Sequence, residues 1–175
     1  MTNLNSPTFS ILTTEKLTLR QLSIDDQQAI FDLRSDPDIN KYLGRQLCET
    51  KEEAINFINK VNENIEKNIS FYWAITLTDT KTFVGTICLF DFSNERSSCE
   101  IGYELITKFQ GQGIMKEALQ VVIDYVFQSL KFKKIVAFTH HENLNSTKLL
   151  TKFNFVASSE LDDENPNLIM FTLTQ

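Results

Sequence analysis

The sequence predicts a single α/β (α+β) domain built on a mixed sheet, and three observations carry that prediction. Residues 71–106 are rich in β-branched and aromatic side chains and are broken only by short polar turns, the pattern of an antiparallel meander. Helical periodicity flanks this stretch on both sides. Near the middle, a strand-like run passes through Gly111-Gln112-Gly113 into a helix pattern and then a further strand, a β-loop-α-β unit whose second strand joins the sheet in parallel.

Taken in order, EKLTLRQL (15–22) sets Leu17, Leu19 and Leu22 among polar neighbours and reads as a first strand. SIDDQQAIFDLRSDPDI (23–39) reads as a helix capped by Ser23, with Asp25 and Asp26 at its positive end and Pro37 closing the pattern. In ETKEEAINFINKVNENIEK (49–67), Ala54, Phe57, Ile58, Val61 and Ile65 keep helical spacing, and Thr50 with Glu53 resembles a capping box. FYWAITLT (71–78), TFVGTICLFDF (82–92) and CEIGYELI (99–106) are the meander strands. A helix is expected from Gly113 to about Leu130, with Met115, Ala118, Leu119, Val122 and Val126 on one face. KIVAFTH (134–140) is the parallel strand and NSTKLLTKF (145–153) a short helix. FVASSEL (155–161) and LIMFTLT (168–174) form a final hairpin pair.

A length of 175 residues suits one domain with a real core, and 42% hydrophobic residues with 14 phenylalanines excludes a disordered polar chain. The formal net charge of −6 argues against a nucleic-acid binder, which needs clustered Lys and Arg. Three cysteines, Cys48, Cys88 and Cys99, have no C-x-x-C spacing, so they read as reduced thiols rather than a disulfide framework or zinc cluster. No basic-then-apolar leader opens the chain and no apolar run approaches the ~18 residues needed to span a membrane, so a cytoplasmic protein without membrane attachment is expected.

Two glycines between a strand and a helix either make a tight turn or cradle a phosphate on the helix N-terminus. A P-loop is excluded because Ile114 and Met115 stand where G-K-[ST] requires Lys and Ser or Thr. A dinucleotide fingerprint is excluded because Lys116 replaces its third Gly.

CEIGYELITKFQGQGIMKEAL (99–119), ENLNSTKLLTKFNF (142–155), EKLTLRQL and RSDPDINKYL (34–43) together resemble the GNAT superfamily of acyl-CoA N-acyltransferases. The likeness is to the branch that acetylates ribosomal-protein N-termini. It implies one GNAT-type domain over residues 1–175. The implied sheet has about seven strands, mostly antiparallel with a parallel splayed pair, flanked by about four helices. The family's [QR]-x-x-G-x-[GA] loop falls on 108–113, with Lys108 in place of Gln or Arg, and Asn154 stands where the later motif has Gly. Asn tolerates the left-handed conformation such a helix end needs.

The resemblance implies acetyl-CoA as co-substrate and no metal. Its pyrophosphate would lie on the amides of Gln110, Gly111, Gln112, Gly113, Ile114, Met115 and Lys116. Backbone groups of Leu105, Ile106 and Thr107 would pair with pantetheine, and Asn143 would bond CoA through its side chain. The implied reaction is direct acetyl transfer to a primary amine, a protein N-terminal α-amine in the branch resembled. The alternatives are a small-molecule amine (polyamine, amino acid or antibiotic) or a non-catalytic acyl-CoA-binding domain. The chain would act as a monomer or homodimer, the latter through its C-terminal strand.

Acetyl transfer needs a deprotonated amine and a settled thiolate. Strand alternation puts Glu100, Gly102 and Glu104 on one face and Ile101, Tyr103 and Leu105 on the other. Glu100 occupies the Glu of the E-I-G-Y segment and is the first candidate base, Glu104 the second; either is equally readable as a solvated acid. Leu150 stands where many family members have a donor Tyr, so Ser146 of N-x-x-S is the candidate thiolate donor, with Tyr103 as fallback. Ser146 also reads as a helix N-cap. His140 and His141, adjacent on a strand, point to opposite faces and so form no shared metal site. Acceptor contacts are expected from DINKYLGRQL (38–47) and the loop around DFSNERSS (91–98), with Trp73, Phe90 and Phe92 either walling the cleft or filling the core.

Overall fold

The computed structural model describes residues 8–159 and 164–175. An eight-stranded mixed sheet runs in the order β1-β2-β3-β4-β5-β6-β8-β7. Its strands are β1 (Leu12–Thr13), β2 (Leu17–Arg20), β3 (Phe71–Leu77), β4 (Phe83–Phe90), β5 (Ser98–Leu105), β6 (Lys134–His140), β7 (Val156–Ala157) and β8 (Leu168–Thr174). Among the described residues only β5 and β6 pair in parallel. The helices are α1 (Gln27–Ser35), α2 (Pro37–Asn40), α3 (Lys51–Glu66), α4 (Ile114–Asp124) and α5 (Leu144–Lys152).

The two extra elements relative to sequence expectation are local. Leu12–Thr13 is a two-residue strand too short for any periodic signal. Asp36 ends α1 in extended geometry and caps the one-turn α2, accepting from the amides of Asp38 and Ile39 with Pro37 at its first turn. Ser23 precedes a 3₁₀ turn (Ile24–Asp26) rather than α1 itself, and Asp26 there is buried against Arg20. At α3, Thr50 Oγ1 accepts from the Glu53 amide (3.2 Å) as expected, but Glu53 reaches the Glu49 amide (3.0 Å), so the capping box is not closed on Thr50. The helix expected to reach Leu130 is α-helical only to Asp124 and continues as a π turn, Tyr125–Ser129. The final hairpin forms, but β8 enters the sheet between β6 and β7. Residues 160 and 161 of its expected first strand lie outside the described residues.

Register gives the two sheet faces different jobs. Phe71, Trp73, Ile75, Ile87, Leu89, Cys99, Ile101 and Ile135 pack with Met115, Ala118, Leu119 and Val122 of α4 in the main core. Trp73 is fully buried there, its Nε1 donating to Ser10 O (2.8 Å). On the other face, Ala74 and Tyr72 pack with Leu22, Ile30, Ala54, Ile58 and Val61 beneath α1 and α3. Cross-strand partners share a face, so Tyr72, Cys88 and Gly102 lie on that second face, as do Phe90, Glu100 and Val136. Phe90, Glu100 and Val136 are only half-buried.

Gly85 is fixed by close approach. A Cβ there would sit 2.2 Å from the Glu104 carbonyl oxygen. Gly85→Ala is expected to destabilise the protein by about 3 kcal/mol through overpacking against backbone, measured by urea unfolding; an unchanged midpoint would contradict this packing.

Candidate active site

The loop before α4 is built by conformation. Gly111 (φ 74) and Gly113 (φ 81) are left-handed, and Gly113 is the N-cap of α4. Nothing lies within 4 Å of a Cβ placed on either, so the glycines serve the turn and leave open space above it. Among the described residues no acceptor takes the amides of Gly111 through Lys116. A row of unpaired N–H groups at the positive end of an 11-residue helix is an anion cradle. Lys108 contributes backbone, its carbonyl accepting from Gln112 Nε2 (2.9 Å).

The β5–β6 ladder ends at Glu100↔Val136, whereas β6 stays paired with β8 to His140. Past Glu100 the two parallel strands part, and a cleft of about 600 Å³ lies along the freed end of β5, between the glycine loop, the start of α5 and residues 38–43. Tyr103, Glu104 and Leu105 of β5 line it, with Lys116, Asn143 and Ser146 at the helix starts and Tyr42 and Leu43 opposite. The Ile106 amide donates to Val84 O (2.9 Å), Thr107 O accepts from the Gln110 amide (3.1 Å) and Leu105 O from Gln110 Nε2 (3.0 Å). Antiparallel alternation therefore turns Ile106 toward β4, and the backbone of Tyr103 and the amide of Leu105 toward the side β6 leaves, the Leu105 carbonyl being taken by Gln110. From Glu100 to Leu105 is five residues, about 16 Å of strand, the scale of an extended pantetheine arm.

Two hydroxyls meet in this cleft. Tyr103 Oη and Ser146 Oγ are 2.9 Å apart, joining β5 to the first turn of α5. Burial pushes the Tyr103 phenol up to about 12, so it keeps its proton at neutral pH. The helix cap is Asn143, whose Oδ1 accepts from the Ser146 amide (3.2 Å); Ser146 is not the N-cap, and its hydroxyl is free to meet Tyr103. Asn143 lines the cleft, and its side-chain NH₂ has no partner among the described residues. Leu150 is buried core, and Asn154 adopts φ 64 just past α5, as the motif's Gly would.

The two candidate bases differ in environment. Glu104 is bound bidentately by Arg45, Nη1 to Oε1 at 2.6 Å and Nη2 to Oε2 at 2.7 Å, so both oxygens are committed. Glu100 sits where the splay begins, with no hydrogen-bond or ion-pair partner among the described residues. Burial first, and Asp91 second, raise its carboxyl to about 7. A carboxyl poised there changes charge around neutral pH, as a general base should. Glu100 faces the α1–α3 side of the sheet and is not part of the lining of the 600 Å³ cleft.

The expected acceptor loop 38–47 does line the cleft, through Asp38, Ile39, Tyr42 and Leu43; the loop around 91–98 does not. Trp73 and Phe92 belong to the core, and Phe90 lies beside Glu100. His140 and His141 do not diverge: their rings stack at 4.7 Å because His141 is already past the strand, and Tyr42 stacks on His140 at 5.1 Å. No cluster of metal-ligating side chains occurs among the described residues. Cys99 is core, and burial pushes the Cys88 and Cys99 thiols up to about 12. Among the described residues no helix is long and apolar enough to cross a membrane. Sequence reasoning missed Arg45, whose partner is 59 positions away and leaves no local signal. It also missed Lys148 and Lys152, which line the cleft and whose i, i+4 spacing on α5 was readable.

Residues 16–156 match the family described as Acetyltransferase (GNAT) domain. The uncharacterized N-acetyltransferase YoaA of Bacillus subtilis (strain 168) is 33% identical over 147 residues, 84% of this chain and 83% of that protein. The [Ribosomal protein uS5]-alanine N-acetyltransferase of Escherichia coli (strain K12) is 25% identical over 155 residues, 82% of this chain and 77% of that protein. The fold is shared with a spermidine N-acetyltransferase from Vibrio cholerae solved with CoA and spermine. Its TM-score is 0.80 at 23% identity, over 93% of this chain and 97% of that one. The splayed parallel pair, the glycine loop on α4 and the family match agree: the chain belongs to the GNAT acetyltransferases and is an N-acetyltransferase.

Proposed function

We propose that this chain transfers the acetyl group of acetyl-CoA directly to a primary amine, with a protein N-terminal α-amine as acceptor. The observation that carries the donor reading is the row of unpaired amides from Gly111 to Lys116 at the mouth of the β5–β6 splay. These amides would hold the pyrophosphate, the open edge at Tyr103 and Leu105 the pantetheine, and Asn143 a further polar group of CoA. The donor supplies an activated acyl group. The chain supplies the proton chemistry around it. The Glu100 carboxylate takes the proton that the amine loses as its lone pair forms the new C–N bond, directly or through water. The Tyr103–Ser146 pair lies 2.9 Å apart, and with Tyr103 as its donor the Ser146 proton would stabilise the thiolate set free as the C–S bond breaks. The acceptor reading is supported by likeness to a ribosomal-protein alanine acetyltransferase.

The test is acetyl-CoA-dependent thiol release with peptides beginning in Ala, with spermidine and with an aminoglycoside. Peptide turnover is expected. Turnover of spermidine or the aminoglycoside alone would replace the acceptor, and CoA binding without thiol release from any amine would make this a binding module.

Three further outcomes are expected. Acetyl-CoA at a hundredfold excess over Kd stabilises the protein by about 2.7 kcal/mol, read as a shift in Tm that ATP and NAD do not give. Ser146→Ala lowers kcat about tenfold, the worth of one hydrogen bond. Tyr103→Phe added to it lowers kcat by less than it does alone, because the two hydroxyls form one chain.

A further inference from the structure

Glu104 is the residue at which the sheet face that carries Glu100 meets the cleft. Alternation along β5 puts it on that face and, unlike Glu100, it lines the 600 Å³ space. It is also the less exposed of the two carboxylates in the lining. Its side chain is 12% exposed, whereas Asp38 stands open to solvent. Left bare, a half-buried carboxylate here would hold an ammonium group more strongly than Asp38 can, because water screens it less.

Arg45 removes that possibility, and it is anchored to do so. Its Nη1 and Nη2 occupy both Glu104 oxygens, at 2.6 and 2.7 Å. Its Nε donates to Asn40 Oδ1 (2.6 Å). Asn40 is buried, and its Nδ2 donates to Leu33 O (3.0 Å) and Asp36 O (2.7 Å) where α1 gives way to α2. The loop that bears Arg45 is tied a second time by Tyr42, whose ring stacks on His140 at the end of β6, 5.1 Å between centroids. An arginine anchored in this way keeps its fork pre-organised for the carboxylate. Among the described residues no other side chain pairs with Glu104.

With Glu104 taken, the cleft has little to offer a second positive charge. Lys116, Lys148 and Lys152 add cations on α4 and α5, and the loop wall contributes Ile39, Tyr42 and Leu43 beside the solvent-screened Asp38. Such a space suits an amine carried on an uncharged group.

We propose that Arg45 is a specificity-determining residue: by neutralising Glu104 it selects an amine borne on an uncharged group, such as a peptide N-terminus, against a polycation. The inference rests on the acceptor reading above and deepens it, since the same cleft without Arg45 would take polyamines.

The test compares wild type, Arg45→Lys, Arg45→Gln and the double variant Arg45→Gln/Glu104→Gln. Each is titrated calorimetrically with spermidine, and kcat/KM is measured for spermidine and for an amidated Ala-initiated tetrapeptide without charged side chains. Arg45→Gln is expected to bind spermidine at least tenfold more tightly than wild type and to raise the spermidine-to-peptide ratio at least tenfold. Arg45→Lys keeps the charge and is expected to stay near wild type. The double variant loosens the loop as Arg45→Gln does but exposes no charge, so both readouts are expected to return to the wild-type range. A gain kept by the double variant would assign the effect to loop loosening and overturn the proposal. Unchanged spermidine binding and ratio in Arg45→Gln, or a wild-type preference for spermidine, would overturn it too. Thermal melts report that each variant is folded, and Arg45→Met, with the stem but not the charge, gives the same comparison should Arg45→Gln fail to fold. Failure of the transfer reading shows separately: spermidine is titrated without CoA, so tighter binding by Arg45→Gln with no thiol release from any amine would uphold the masking of Glu104 and remove the reaction.

Discussion

Glu100→Gln is expected to lower kcat/KM by about a hundredfold or more at pH 8, the range of a lost general base, and to remove the bend near pH 7 from the acid limb of the profile. The sign follows from the carboxyl's environment. Burial and Asp91 raise it to about 7, so it is an ionised acceptor of protons above that pH and a spent one below. Wild type and variant therefore converge as pH falls toward 5 and differ most in alkaline solution. Stability moves the opposite way. The folded carboxyl keeps its proton up to about 7 against a usual 4.5, so the folded state binds more protons across that window. Stability is then lost as pH rises through it. Glu100→Gln, uncharged throughout, is expected to have a higher Tm than wild type at pH 8 and the same Tm near pH 4. A variant that loses activity at every pH in equal proportion, with unchanged Tm, would remove Glu100 from the mechanism.

Gly113→Ala is expected to raise the Kd for CoA tenfold or more and to lower stability. A non-Gly residue at φ 81 costs about 1–2 kcal/mol, and relaxing that strain rotates the amides that begin α4. Gly44→Ala separates strain from binding: Gly44 has φ 62 with open space around it, so it is expected to lose stability while keeping CoA affinity. Calorimetric titration of both variants checks this, and equal CoA affinity in wild type and Gly113→Ala would show that the loop does not carry the pyrophosphate.

The parts of this fold and site that the sequence made legible are those set by local physics. Two-residue alternation fixed the opposite faces of Glu100 and Tyr103, and helical spacing fixed the buried stripe of α4 from Met115 to Val122. The positive φ of Gly111, Gly113 and Asn154 was readable because few residues tolerate it. What the sequence hid depends on side chains meeting across the chain. Nothing near Glu104 announces Arg45. Asn143 and Ser146 compete for the same cap, and only the turn after β6 decides for Asn143. The placement of β8 between β6 and β7 is a long-range pairing with no sequence marker.

The central claim is that the glycine loop and the β5–β6 splay form one donor site ending at Glu100. A crystal structure of the protein with CoA tests it most directly. The account predicts the pyrophosphate within hydrogen-bonding distance of amides between Gly111 and Lys116, pantetheine along the Tyr103–Leu105 edge, and the thiol near Ser146 at the Glu100 end of the splay. CoA bound elsewhere, or a splay closed by β5–β6 pairing beyond Glu100, would contradict it.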